Sequence, residues 1–386
     1  MIIGIDLRCL PTDGSQGAGV AHAARFLTEE LVIRNVPWTW KLYVPSGAVS
    51  IGSAGGERRR IVELHDASGT ALRSALREDP CDLLFVPSGS IPPRLPVRAV
   101  PWVHDVAIFH HPEWFPQSLL RRTLTTSLFR HGVKSAPFVF AVSEDTKAEL
   151  VSRFGLDPAR IIVTLEGGDP FLGVLHGHEL RERKRLAKER VAVSGITNAF
   201  VLALGTVEPR KNLAHLVSSW RRACSSFNRA VDLVIAGNDG WKLEDVYASM
   251  RKSIVPERDG SRIHRLQMLD DDARRDLLLA ADLVAVPSFH EGFGLTALEA
   301  MQAETPIIAA RTGALPEVIG ETGVLLDPSD QEAWSNALVG LMNDDVSRID
   351  IALAGKSRSQ GMTWEGVAMK VEEGIRSIVI PAKAGI

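Results

Sequence analysis

Residues 282–302 read D-L-V-A-V-P-S-F-H-E-G-F-G-L-T-A-L-E-A-M-Q, and this stretch gathers the side chains and glycines best suited to hold a polar ligand. An apolar run ends at Pro287-Ser288, a glycine-containing loop follows, and helical spacing begins near Leu295. In a parallel sheet, ligands bind at the carboxyl ends of the strands. The first N–H groups of the following helix lack intrahelical partners and favour anionic oxygens. Gly292 and Gly294 remove side chains that would keep a ligand from the backbone. Glu291 lies in the loop; Glu299 lies about one turn into the helix, leaning back toward its N-terminus. Ionised carboxylates are acceptor-only groups suited to a pair of vicinal hydroxyls. The same spacing also fits a Glu299 that caps its own helix and a Glu291 that is merely exposed.

Other candidates lie outside this segment. Gly17-Ala18-Gly19 follows the first strand as a phosphate or sugar loop would, but His22 stands where a dinucleotide fingerprint needs its third glycine. A Rossmann dehydrogenase is therefore disfavoured. His104-Asp105 ends an apolar run and faces the ligand edge on the same carboxyl-end argument. His110 and His111 raise the question of a metal, which their lack of i,i+4 spacing argues against. Asp270-Asp271-Asp272 imitates a metal-binding Asp-x-Asp, yet it precedes a helical pattern and reads better as a cap. Arg210-Lys211, taken alone, reads as a solvated pair at a helix start.

The elements that must position these residues follow a βα rhythm. Strand candidates are residues 2–7, 40–44, 82–86, 99–103 and 138–142, then 200–204, 232–236, 263–268, 283–286, 306–309 and 323–326. With 386 residues, two α/β domains are expected, 1–190 and 191–363, with 364–386 as a helix and tail crossing back to the first. Residues 180–190 carry six basic and two acidic side chains and read as a solvated helix at the junction. Residues 118–131 place Leu120, Leu124 and Leu128 on one stripe with Arg121, Arg122 and Arg130 around it. That stripe reads first as domain core, and second as a face for an anionic membrane. A net charge of -3 gives no field for nucleic acid, three scattered cysteines suggest neither disulfides nor zinc, and no run is apolar enough to span a bilayer. No signal peptide is visible, so a cytoplasmic protein is expected, at most touching the inner membrane face.

Two glutamates eight positions apart, bracketing Gly-Phe-Gly-Leu and followed by Glu-Ala-Met, resemble the signature of family four of the retaining glycosyltransferases, which have the GT-B fold. The resemblance extends to Gly205-Thr206-Val207-Glu208-Pro209-Arg210-Lys211-Asn212, to Gly313-Ala314-Leu315-Pro316-Glu317, to His104-Asp105 and to Gly167-Gly168-Asp169-Pro170. It is most similar to the mannosyltransferase-like branch that builds bacterial O-antigens and exopolysaccharides. It implies two Rossmann-like doubly wound domains facing across a cleft, with the donor on the C-terminal one. Position by position it implies that Glu291 binds donor-sugar hydroxyls and that Phe293, Gly294 and Leu295 bring backbone to sugar and diphosphate. Glu299 would bind the ribose. Arg210 and Lys211 would neutralise the leaving diphosphate, beside Gly205 and Thr206. His104 would act against the donor sugar, and Gly17 and Gly19 would contact the diphosphate or acceptor. Thr206 departs from an arginine found in some relatives, and Ala303-Glu304 from a usual Ala-Gly or Cys-Gly.

The implied reaction is metal-free, cofactor-free transfer of a hexose with retention from a nucleoside diphosphate sugar to a glycan or polyprenyl-linked hydroxyl. GDP-mannose is the expected donor and a UDP-hexose the alternative. A nucleotide-sugar epimerase or a binder without turnover are the rivals. The latter should have lost Glu291, Arg210 or Lys211, and all three are present.

Overall fold

The computed structural model describes residues 1–12, 19–48, 59–251 and 260–379. Gly17 of the first-strand loop lies outside the described residues. The chain divides into two compact units: residues 1–112, 117–167 and 363–386, and residues 113–116 and 168–362.

In the first unit the described residues form a seven-stranded parallel sheet ordered β3-β2-β1-β4-β5-β6-β7. Its strands are β1 (Ile2–Asp6), β2 (Thr39–Pro45), β3 (Arg59–Leu64), β4 (Leu83–Val86), β5 (Ala99–Val103), β6 (Val139–Ala141) and β7 (Ile161–Val163). The second unit carries six parallel strands ordered β10-β9-β8-β11-β12-β13. They are β8 (Ala199–Leu204), β9 (Val231–Ala236), β10 (Ile263–Leu266), β11 (Leu283–Val286), β12 (Ile307–Ala310) and β13 (Val324–Leu326). Strands β4, β5, β9, β11 and β12 are buried along their whole length, as expected of short apolar runs covered by helices on both faces. Both sheets reverse their winding once, between β1 and β4 and between β8 and β11. Loops diverge at such a point and leave room for a ligand.

Strands β3 and β7 are absent from the periodicity reading. β3 is an edge strand whose sequence, Arg-Arg-Ile-Val-Glu-Leu, is half charged, and β7 is three residues long. The division between units also differs from the expected one. It falls at Gly167-Gly168, and residue 190 lies within the Gly177–Val193 helix, which belongs wholly to the second unit. Leu180 and Ala187 of that helix are buried, and it packs on the Asp271–Ala280 helix, where Arg190 grips Asp276 with both guanidinium ends. A few well-placed apolar contacts suffice to dock a helix that composition marks as solvated.

The Trp364–Val379 helix clusters with the first unit and packs on the Val20–Ile33 helix, with Val367, Val371 and Ile375 buried. The Leu119–Ser135 helix corrects the first reading of residues 118–131. Of its 17 residues only Gly132 and Val133 are buried. Leu119, Leu120, Leu124 and Leu128 are 76%, 82%, 58% and 38% exposed, so the leucine stripe is surface and not core. Glu304, standing where a glycine is usual in the resembling family, takes a left-handed φ of 53°. Its carbonyl accepts a 2.6 Å bond from Lys184 Nζ.

Candidate functional site

In the second unit the winding reversal sets the loop after β8 beside the loop after β11. The first carries Gly205, Thr206, Glu208, Arg210 and Lys211; the second carries Ser288 and Glu291. Lys211 Nζ lies 2.6 Å from Glu291 Oε1, and Arg210 Nη1 lies 2.8 Å from Glu291 Oε2. Arg210 also donates from Nη1 to the His290 carbonyl at 2.8 Å and reaches Glu208 with Nη2 at 2.6 Å. Ser288 Oγ donates to Glu291 Oε1 at 2.6 Å. The sequence alone gives Ser288 no role, although its Ser-x-x-Glu spacing resembles a capping box. Gly205 takes φ 138°, a backbone conformation that L side chains rarely adopt, and the Lys211 side chain runs beside it. Thr206 follows on the same loop.

Glu291 is 7% exposed, which removes the alternative of a merely exposed side chain. Burial works to raise its pKa, and Lys211 and then Arg210 outweigh burial and hold the carboxyl well below the usual carboxylate range. The surrounding bonds also limit what Glu291 can still accept. Of about four lone-pair directions on a carboxylate, Oε1 spends two on Lys211 and Ser288 and Oε2 one on Arg210. Among the described residues that leaves one position on Oε2, enough for a single hydroxyl and not for the vicinal pair expected. The loop backbone is fixed from below by Gly313. Ala314 N donates to the Glu291 carbonyl at 2.9 Å, and a Cβ on Gly313 would sit 2.4 Å from that oxygen. This contact accounts for the glycine in Gly313-Ala314-Leu315-Pro316-Glu317.

Phe293 is buried, and Gly294, at φ 103°, occupies the cap position of the Leu295–Gln302 helix with no side-chain cap. Leu295 is the first residue of that helix. Glu299 does not cap it, so that alternative is also set aside. Its Oε2 accepts a 2.5 Å bond from Arg274 Nη1, and Arg274 Nη2 reaches Asp169 Oδ2 at 2.6 Å. Burial raises the pKa of Glu299; Arg274 opposes it, Asp169 adds to it, and the net shift is upward. Nothing in the sequence marks Arg274 as a partner of Glu299, since the two are joined only by tertiary packing. The aspartate triplet is a cap, with Asp270 Oδ1 accepting from Ala273 N at 2.8 Å.

The first unit holds the remaining candidates. His104, just past β5, is fixed at both ring nitrogens: Nδ1 lies 2.7 Å from Glu166 Oε1, and Nε2 lies 2.7 Å from the Pro87 carbonyl. Both partners accept, so both bonds are made at once by the imidazolium. Burial lowers the His104 pKa, and the Glu166 contact reverses this to a net rise. The Trp102 ring lies 4.5 Å from the imidazole, centroid to centroid. Glu166 has no sequence signal beyond its place beside Gly167-Gly168-Asp169. Gly19, at φ 53°, immediately precedes the Val20–Ile33 helix.

A model of the group 1 glycosyl transferases matches residues 198–344, the part of the chain that holds Arg210, Lys211, Glu291 and Glu299. The O-antigen chain mannosyltransferase B of Escherichia coli is 30% identical over 292 residues, 75% of this chain and 73% of that protein. A D-inositol 3-phosphate glycosyltransferase of Corynebacterium glutamicum (strain R) is 30% identical over 267 residues, 66% of this chain and 60% of that one. Among solved structures, the sucrose-phosphate synthase of Thermosynechococcus elongatus superposes with a TM-score of 0.74 over 98% of both chains at 18% identity. The chain belongs to the group 1 glycosyl transferases. It is a glycosyltransferase with two parallel-sheet α/β domains of the GT-B kind.

Proposed function

We propose that the second unit binds a nucleoside diphosphate hexose, GDP-mannose first, and that the enzyme transfers the sugar with retention to a glycan or polyprenyl-linked hydroxyl. The observation that carries this reading is the convergence of Arg210 and Lys211 on Glu291 at the β8/β11 reversal. Two fixed cations there supply the positive charge that a departing diphosphate needs, so no divalent metal or cofactor is required. Glu291 accepts one hydroxyl of the donor sugar, and the 293–295 backbone approaches the sugar and diphosphate. Glu299 accepts from the ribose. As the bond from C1 to the phosphate oxygen breaks, the acceptor oxygen bonds to C1 on the same face, and its proton passes to the leaving phosphate. Mannose is favoured by the 30% identity to an O-antigen chain mannosyltransferase. In the first unit, His104 is held as a cation suited to a sugar hydroxyl, and the loop containing Gly17 and Gly19 is of the kind that serves a phosphate or a sugar.

A lipid-linked acceptor calls for an enzyme that reaches the bilayer. Among the described residues no helix is long and apolar enough to cross a membrane. The Leu119–Ser135 helix supplies a peripheral contact instead: four exposed leucines, Arg121, Arg122, Arg130 and Lys134, and no acidic residue.

Thermal shift across nucleotide sugars tests the donor, since ligand at about 100 times Kd adds roughly 2.7 kcal/mol of stability. GDP-mannose should give the largest shift, and product analysis should find the new linkage with the donor's anomeric configuration. A shift with UDP-hexoses alone, or an inverted product, overturns the corresponding part. Anionic vesicles should sediment the protein at low salt and release it at high salt. Equal binding after Arg121, Arg122 and Arg130 become Gln rejects this helix as the anchor.

A further inference from the structure

We infer that Arg274 is a positioning residue for the reaction: it fixes the Glu299 carboxylate by one oxygen and leaves the other presented to the nucleotide. The inference rests on the assignment of Glu299 to the ribose made above. Arg274 lies in the Asp271–Ala280 helix and Glu299 in the Leu295–Gln302 helix, and one guanidinium spans two carboxylates from separate segments. Its Nη2 is pinned by Asp169 Oδ2, which also accepts from Arg275 Nε at 2.9 Å. Asp169 is itself fully buried, its Oδ1 accepting from Phe171 N at 2.8 Å and Leu172 N at 3.2 Å at the start of the Pro170–Val174 helix. Four donors therefore fix Asp169, Asp169 fixes the plane of the guanidinium, and the guanidinium fixes Glu299 Oε2. Oε1 makes no hydrogen bond among the described residues, and the Glu299 side chain keeps 7% of its surface exposed.

The charge balance points the same way. The charged groups facing Glu299 are Arg274 and Asp271 on one helix and Asp169 ahead of another. Burial favours the protonated carboxyl, Arg274 opposes it, and Asp169 and Asp271 side with burial. Arg274 is thus the group that keeps Glu299 an acceptor, and without it the carboxyl takes up a proton at a higher pH. A planar fork can serve two carboxylates in a set geometry, which the point charge of lysine cannot reproduce.

Calorimetric titration with a nucleoside diphosphate and with inorganic diphosphate, across a pH series, separates this role from general support of the fold. Arg274→Gln should weaken nucleoside diphosphate binding about tenfold near neutral pH, the scale of one charged hydrogen bond. Relative to wild type the loss should grow as pH falls, because the freed Glu299 protonates. Inorganic diphosphate, which lacks a ribose, should bind unchanged. Arg274→Lys should restore the wild-type pH profile with only part of the affinity. Arg190→Gln, which removes the ion pair to Asp276 on the same helix and touches neither Asp169 nor Glu299, should leave nucleoside diphosphate affinity intact. An equal loss for inorganic diphosphate, a loss without pH dependence, or no loss in Arg274→Gln beside a clear loss in Glu299→Gln overturns the inference while the ribose assignment stands. If Glu299→Gln itself binds the nucleoside diphosphate as wild type does, the assignment falls and the inference with it. Should Arg274→Gln fail to fold, Arg274→Lys carries the test, expected to lose affinity for the nucleoside and not for the inorganic diphosphate at an unchanged Tm.

Discussion

Glu291 and Glu299 stand eight residues apart, are both buried, and both face arginine, yet their surroundings oppose each other. Glu291 meets two cations and a serine hydroxyl, and its proton affinity falls. Glu299 meets one cation that is shared with Asp169, and its proton affinity rises. The lesson is that burial alone does not set the state of a carboxylate. The ratio of cations to carboxylates within hydrogen-bond reach does, because the cost of desolvation is similar for both. The loop after β11 thus sets Glu291 against two cations from the loop after β8, whereas Glu299 on the helix beyond it shares one cation with a second carboxylate.

The comparison breaks most readily at Lys211. Lys211→Ala should lower kcat by about 10²–10³, the usual scale for one preorganised charge contact at a developing anion. Activity of the wild type should persist in a chelator. Initial rates at saturating donor check both, and either normal turnover of the variant or chelator inhibition reversed by Mn²⁺ contradicts the metal-free reading. Because Arg210 is also tied to Glu208, its replacement should cost less than that of Lys211.

A smaller effect is expected on stability when Glu291 becomes Gln. Removing one partner of a buried ion pair costs about 3–5 kcal/mol, and Arg210 and Lys211 are 15% and 18% exposed, so water screens part of it. A loss of about 2–3 kcal/mol in denaturant unfolding is expected. A neutral result would mean that the two cations find other partners without cost.

Next, Glu299→Ala should weaken nucleoside diphosphate binding by about 1–3 kcal/mol, with Glu299→Gln losing less. Unchanged affinity of the alanine variant in calorimetry removes Glu299 from the site.

The smallest effect sharpens the comparison through pH. The folded pKa of Glu291 is depressed, so its contribution to stability is present above the unfolded value of about 4.3 and is lost as pH falls below it. The folded pKa of Glu299 is raised, so stability is gained as pH falls through that pKa toward the unfolded value. Melting temperature against pH should therefore lose part of its acid-side decline in Glu291→Gln, and in Glu299→Gln part of the decline that sets in as pH rises from the unfolded carboxylate value through the raised folded pKa. Identical profiles for the two variants would show that the environments do not differ as described.

Most of the sheet strands are legible in the sequence because fully buried parallel strands are short apolar runs ending in Gly, Pro or Ser, as at β11 before Pro287-Ser288. β3 is not, since an edge strand has one side that need not be apolar. The Leu119–Ser135 stripe shows the converse limit: amphipathic spacing says that a helix has two faces, not which one meets the core.

The sequence by itself determined the two runs of βα units, the loop that holds Glu291, the helix that holds Glu299 and the basic pair at Arg210-Lys211, because each depends on local propensity and short spacing. Only the tertiary structure decided that Arg210 and Lys211 converge on Glu291, that Arg274 divides itself between Glu299 and Asp169, and that His104 is held by Glu166. Those pairings join residues 25 to 105 positions apart. Their geometry is set by the order of strands in each sheet, and no local pattern of residues encodes that order.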